Sequence, residues 1–219
     1  MRTDVRTIGV LGAGRVGTAI ARQALKAGYQ VRIATARPPS EIALLVDVMV
    51  PGATAVSAAV AARDSDLVIV ALPLTKYRTL SPEDLAGKVA IDVMNYWAPT
   101  DGTLPEFEGN ASSTEVVQRF LPQTRLVRTL NHVGYHEIED DARPAGHPER
   151  RALAIAGGAD ARAMVAAFIE RLGFDAVDAG ELAAGRHFAN GTTIFQSRLR
   201  RDEIKRILGQ RDTRASAAA

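Results

Sequence analysis

The chain has 219 residues, 47% of them hydrophobic and 24% charged, and a formal net charge of +2. That is the balance of an ordinary globular protein, long enough for one good core or for one large and one small core. So small a charge gives no reason to expect nucleic-acid or membrane binding, and the lack of cysteine excludes disulfides, thiolate metal sites, iron–sulfur clusters and a cysteine nucleophile. No apolar run reaches transmembrane length and the N-terminus has no signal-peptide core, so the expected location is the cytoplasm.

An apolar run containing Val5, Ile8, Val10 and Leu11 leads into Gly12-Ala-Gly14-Arg15-Val16-Gly17, a G-x-G-x-x-G turn. A helical pattern leads out of it through Ala19, Ile20, Gln23, Ala24 and Ala27, with Gly28 as its cap. Strand, glycine turn and helix together form a dinucleotide-binding fingerprint. Gly12 allows the tight turn, Gly14 lets a diphosphate approach the backbone, and Gly17 lets the helix pack close to the sheet. The N–H groups opening the helix then meet the phosphates.

Tyr29–Thr35 reads as the second strand. An NAD-preferring unit places Asp or Glu at its end, about 20 residues beyond the glycines, to hold the ribose 2′-hydroxyl. Here the strand ends in Ala34-Thr35-Ala36-Arg37. No carboxylate repels a 2′-phosphate, Thr35 offers a hydroxyl, and Arg37 offers a guanidinium fork. The expected cofactor is NADP(H).

Pro38 and Pro39 open a helix over about 40–50; a short strand over 53–56 and a short helix over 58–63 follow. Residues 66–72 form a continuous apolar run, the mark of a parallel strand buried on both faces. It delivers Leu72, Pro73 and Leu74 to the sheet's carboxyl edge, where ligands cross open α/β sheets. A further strand over 88–94 ends in Asn95-Tyr96-Trp97. The loop from Asn95 to about Asn110 holds the only tryptophan, so it reads as an acceptor wall, or equally as packing against a cap or second subunit.

Ser112 to Glu115 is a capping box; the helix after it turns Val116, Val117, Phe120 and Leu121 to one face. The strand over 125–130 runs into Asn131-His132-Val-Gly-Tyr-His136. Asn131 can bind a carboxamide or turn a loop, and His132 is a candidate acid or anion contact. His132, His136, Glu137, Asp140 and Asp141 match no zinc spacing, so no metal site is expected. Residues 138–151 read as a polar surface connection. A strand over 152–156, a helix over 161–172 with Val165, Phe168, Ile169 and Leu172 inward, a Gly173 cap and a strand over 174–177 then form a β-α-β unit without a phosphate fingerprint. From Arg198 the chain is a basic helix with Ile204, Ile207 and Leu208 on one side, and a tail begins at Arg214.

The expected fold class is α/β: a Rossmann-type, doubly wound, mostly parallel sheet with helices on both faces and a small C-terminal α/β extension. The expected division is 1–150 for dinucleotide binding, 151–197 for the extension and 198–219 for the basic helix and tail.

These blocks in this order resemble the NADP oxidoreductases dependent on coenzyme F420, a deazaflavin. The resemblance rests on G-A-G-R-V-G, the T-A-R ending of the second strand, A-L-P-L, D-V-M-N-Y-W, R-T-L-N-H-V-G-Y-H-E, G-G-A-D and L-G-F-D-A-V-D-A-G. It implies a homodimer passing hydride between nicotinamide and a deazaflavin, with NADP and coenzyme F420 as small-molecule partners. It also implies that Gly12, Gly14, Arg15 and Val16 meet the pyrophosphate, that Thr35 and Arg37 hold the 2′-phosphate, and that Pro73 touches the cofactor. Leu72, Leu74, Asn95, Tyr96 and Asn131 complete the expected cofactor rim. The chain departs from the family after Gly180, where Leu182–Phe195 and the basic Arg198–Arg206 stand in place of an apolar helix. Another flavin, a quinone, or a small carbonyl or imine remains open as acceptor, as does a non-catalytic NADP(H) sensor.

Overall fold

The structure, a computed structural model, describes residues 5–109 and 111–216. Strand β1 (Thr7–Leu11) opens the chain and α1 (Arg15–Lys26) follows the glycine turn. Then come β2 (Gln30–Ala34), α2 (Pro39–Met49), β3 (Thr54–Ala55), α3 (Ala58–Arg63) and β4 (Leu67–Val70). A 3-10 helix over Leu74–Thr79 leads to α4 (Pro82–Leu85) and β5 (Val89–Asp92). Next are α5 (Ala98–Asp101), a 3-10 turn at Pro105–Phe107, α6 (Ser113–Phe120), β6 (Arg125–Arg128) and α7 (Glu137–Asp140). The chain continues through β7 (Ala152–Gly157), α8 (Ala159–Leu172), β8 (Asp175–Gly180), a 3-10 helix over Leu182–Phe188 and α9 (Arg201–Ser216).

The strands form one sheet of eight in the order β3-β2-β1-β4-β5-β6-β7-β8. The first six are parallel, which makes this the doubly wound α/β fold that the motif spacing predicts. β7 then runs antiparallel to β6, and β8 parallel to β7, so the second β-α-β unit extends the same sheet with its direction reversed. The central strands are buried throughout because each face carries its own layer. On one side Ile8, Val10 and Ile69 pack with Ile20 and Ala24 of α1 and Phe168 of α8. On the other, Val68, Val70 and Ala90 pack with Ala61 of α3 and Val117 of α6. A third cluster joins β7 and β8 to Phe188, Ile194 and Ile204 of α9.

Two expectations, for residues 138–151 and for the tail from Arg214, need correction. Residues 138–151 are not only a surface connection. Ile138 is fully buried, and Arg150 and Arg151 are buried because carboxylates surround them. Arg150 pairs with Glu170 and Asp175, and Arg151 with Glu137 and Asp141. The loop after Asn95 is organised by Tyr96, whose hydroxyl accepts from Leu104 N at 3.0 Å and donates to Glu108, while its ring stacks on buried Phe107. Its far end, Asn110, lies outside the described residues. The tail expected from Arg214 overlaps the end of α9, and residues 217–219 lie outside the described residues. No helix among the described residues is long and apolar enough to cross a membrane.

Candidate functional site: the carboxyl edge of strands β1 to β6

The glycine turn is wedged between two neighbouring strand ends. Gly12 has φ +119°, donates its N–H to Ala34 O at 2.8 Å, and leaves so little room that a Cβ would sit 2.3 Å from Ala71 O. Gly17 is closer still, since a Cβ there would lie 2.0 Å from the carbonyl oxygen of Gly12. A Cβ at Gly14 would meet nothing, so that side of the turn is open. Gly14 caps α1 without a side-chain hydrogen bond, and the first turn of α1 holds no acidic residue. The amide groups that open this helix therefore keep their capacity for an anion. Arg15 is exposed beside them; its guanidinium donates to Tyr135 Oη at 3.2 Å and lies 5.6 Å from that ring's centre. Val16 is half-buried against the core.

At the end of β2, Thr35 Oγ1 accepts the N–H of Arg37 at 3.1 Å. That turn leaves the threonine hydroxyl proton free to donate, and it holds exposed Arg37, whose guanidinium has no partner among the described residues. Between this end and the segment after β4 lies a cavity of about 160 Å³, lined by Gly12, Thr35, Ala62, Leu72, Leu80 and Ser81 among others. Leu72 is half-buried there and Pro73 is exposed beside it. Leu74 instead packs in the core, 1% exposed, because it starts the 3-10 helix and turns inward against Val70 and Leu85. Leu80 and Ser81 carry no motif; only the strand order brings them to this cavity.

The rest of the rim stands on a buried charge pair that the strand patterns do not single out. Asp92 and Arg128 face each other in the register of β5 and β6, both essentially inaccessible, with Arg128 Nη1 3.2 Å from Asp92 Oδ2. Thr114 Oγ1 also donates to Asp92 at 2.5 Å, and Arg128 donates to the carbonyl oxygen of Met94 and, at 2.9 Å, to Asn95 Oδ1. Asn95 Nδ2 donates to Asn131 O at 2.7 Å. Asn131 Nδ2 donates to Phe188 O at 3.0 Å and to Asn95 Oδ1 at 3.3 Å, so its amide is already engaged within the protein. No sequence signal separates the pair: Asp92 is the last residue of β5, and β6 carries an arginine at each end.

His132 lies in the core, 1% exposed. Its Nε2 accepts the N–H of Ala154 at 3.1 Å, which leaves Nδ1 to carry the proton and donate to Asn131 Oδ1 at 3.1 Å. Burial pushes its pKa down to about 3, and the charges of Arg151 and Arg128 act in the same direction. An acid or anion contact at His132 does not fit this setting. Protonation opposes folding here: the stabilisation is complete above the unfolded pKa of about 6.5 and is lost as pH falls from there toward 3. In an NMR titration, one of the four histidines should stay neutral down to about pH 5. Four ordinary midpoints would contradict the burial.

The family model described as NADP oxidoreductase, coenzyme F420-dependent, matches residues 7–96. Among solved structures, the hypothetical protein SMa0349 of Sinorhizobium meliloti is 26% identical, with TM-score 0.77 over 91% of this chain and 97% of that one. A protein of Arthrobacter sp. FB24, provisionally named an F420-dependent NADP reductase, is 27% identical, with TM-score 0.70 over 84% and 88%. An imine reductase variant from Myxococcus stipitatus shares the fold at 17% identity and TM-score 0.58, over 98% of this chain but 64% of that one. No curated protein matches. The resemblance to NADP oxidoreductases dependent on coenzyme F420 is thus borne out over residues 7–96, the segment that carries the glycine turn, the end of β2 and the A-L-P-L rim.

Proposed function

We propose that the protein is an NADP(H)-dependent oxidoreductase that exchanges hydride with a deazaflavin or another flavin-like ring. One observation carries the reading: the uncapped amides opening α1 and the unpaired guanidinium of Arg37 stand at the ends of adjacent strands of one sheet edge. Those are complementary to a diphosphate and to a further phosphate on the ribose. The family match and the similarity to the Arthrobacter protein support the same cofactor and acceptor.

In this reading Gly14, Arg15 and Val16 hold the diphosphate, Thr35 and Arg37 hold the 2′-phosphate, and the cavity beside Leu72 and Leu80 takes the adenosine end. When bound, NADPH would supply a transferable hydride and NADP+ would accept one. The chain's own part is to fix two rings in contact and to exclude water, which accounts for most of what direct hydride transfer requires. Reduction of a carbonyl would ask for a proton donor at the rim, and His132, being buried and neutral, does not supply one.

The test is a comparison of Kd for NADPH and NADH. The wild type should prefer NADPH. Arg37→Ala should weaken NADPH by about 10- to 100-fold, the range for a charge-assisted hydrogen bond, and leave NADH nearly unchanged. Equal wild-type affinities for the two would refute the cofactor assignment.

A further inference from the structure

Beyond the segment matched by the family, the rim has a second wall. Asn95 and Trp97 share a cavity of about 230 Å³ with Asn190, Phe195 and Gln196, which come from the stretch between β8 and α9. This stretch is tied to the end of β6 at two points. Phe188 O accepts from Asn131 at 3.0 Å, and Gln196 N donates to His132 O at 2.9 Å. Between them Phe188 packs edge-on against His132 and Ile194 is fully buried. The wall is thus held by the same buried residues that shape the rim.

Its polar surface is unspent. The side-chain amides of half-buried Asn190 and exposed Gln196 make no hydrogen bond among the described residues, so both are available to a group bound in the cavity. Gln196 also has φ +54°. Only one other non-glycine residue among those described has positive φ, Leu130 at the end of the same rim. A glutamine held in that region costs free energy that a glycine would not. The cavity is lined by two aromatic rings and three carboxamides, and no titratable side chain is among them. A charged head group would find no counter-ion in this lining. A flat ring would find stacking surfaces, and a carboxamide presents both a donor and an acceptor to its polar edge.

We propose that Asn190 and Gln196 are specificity-determining residues of the acceptor site, reading the donor–acceptor edge of an uncharged flat ring that lies against Trp97 and Phe195. The inference rests on the NADP(H) reading for what stands on the other side of the ring, but its test does not need turnover. Trp97 is the chain's single tryptophan and lines this cavity, so its fluorescence responds to a ring bound there, and the two variants show whether the quenching ring lies in this cavity. Riboflavin and 5-deazariboflavin are titrated onto NADP+-saturated protein, with NADP+ binding measured separately by calorimetry. Saturable quenching is expected in the wild type, with Kd raised about tenfold in Asn190→Ala and in Gln196→Gly and NADP+ binding unchanged. Glycine adopts φ +54° freely, so Gln196→Gly should melt at or above the wild-type temperature; a purely structural glutamine would give a lower one. The proposal is overturned if protein that binds NADP+ shows no saturable quenching, or if both variants quench with wild-type Kd. Failure to bind NADP+ would count against the cofactor reading instead, and the same titrations on unloaded protein would then decide the wall by themselves.

Discussion

Arg128→Met is expected to lower the unfolding free energy by about 3–5 kcal/mol, the usual loss when one partner of a buried ion pair is removed. Asp92 is wholly buried and Arg128 only 2% exposed at the side chain, so water cannot take over the missing contact. Burial alone pulls the Arg128 pKa down, and Asp92 is what favours its charged form. Removing the guanidinium would strand a carboxylate whose other side-chain partner is the Thr114 hydroxyl. It would also release Met94 O and Asn95 Oδ1, the atoms through which the end of β5 is held. Urea unfolding followed by far-UV circular dichroism measures the loss. Pairing the change with Asp92→Asn should recover part of it, since the stranded charge is then gone. A single-variant loss under about 1 kcal/mol, the value of an exposed pair, would show that the pair is solvated and the rim does not stand on it.

Gly17→Ala should cost cofactor affinity far more than a single methyl group suggests. The new Cβ would lie 2.0 Å from the Gly12 carbonyl oxygen and 3.3 Å from Ala71 Cβ. Neither Gly12 nor α1 can yield cheaply: Gly12 donates to Ala34 O, and α1 packs through Ala19, Ile20 and Ala24 into the core. The first turn of α1 must therefore lift away from the glycine turn, and its amides move with it. A hydrogen bond to a charged group is worth about 1.5–3 kcal/mol, so the displaced amides should lower NADPH affinity by about 10- to 100-fold. The accompanying loss of stability should be about 1–3 kcal/mol, as for other overpacked sites. Calorimetric titration of NADPH with a thermal melt separates the two. Wild-type affinity in this variant would mean that the helix opening does not hold the diphosphate.

The parts of this molecule legible in the sequence are those governed by local chemistry. The glycine turn, the proline start of α2, the capping box at Ser112 and the glycine after α8 lie where their residues dictate. Strand β4 was readable because a continuous apolar run has few other solutions. What stayed hidden depends on partners distant in sequence. Arg150 and Arg151 look like surface residues until Glu170, Asp175, Glu137 and Asp141 are folded around them. His132 resembles a reactive group until Ala154 N and Asn131 close on its two nitrogens. Leu74 follows a rim proline yet turns inward, because a 3-10 helix begins there. Asn190 and Gln196 belong to no motif, and only the return of the chain from β8 brings them beside Trp97.

The reversed direction of β7 gives the sheet a two-ended character. Helix α1 opens toward one edge, whereas α8, following a strand of opposite sense, opens toward the other. The two helix openings cannot converge on one anion, so this protein is not a symmetrical pair of nucleotide-binding halves despite its two β-α-β units. The end toward which α8 opens carries the turn at Gly157, where a Cβ would lie 2.8 Å from Leu126 O, so a change there would act on the pairing of β6 with β7 and not on the opening of α1.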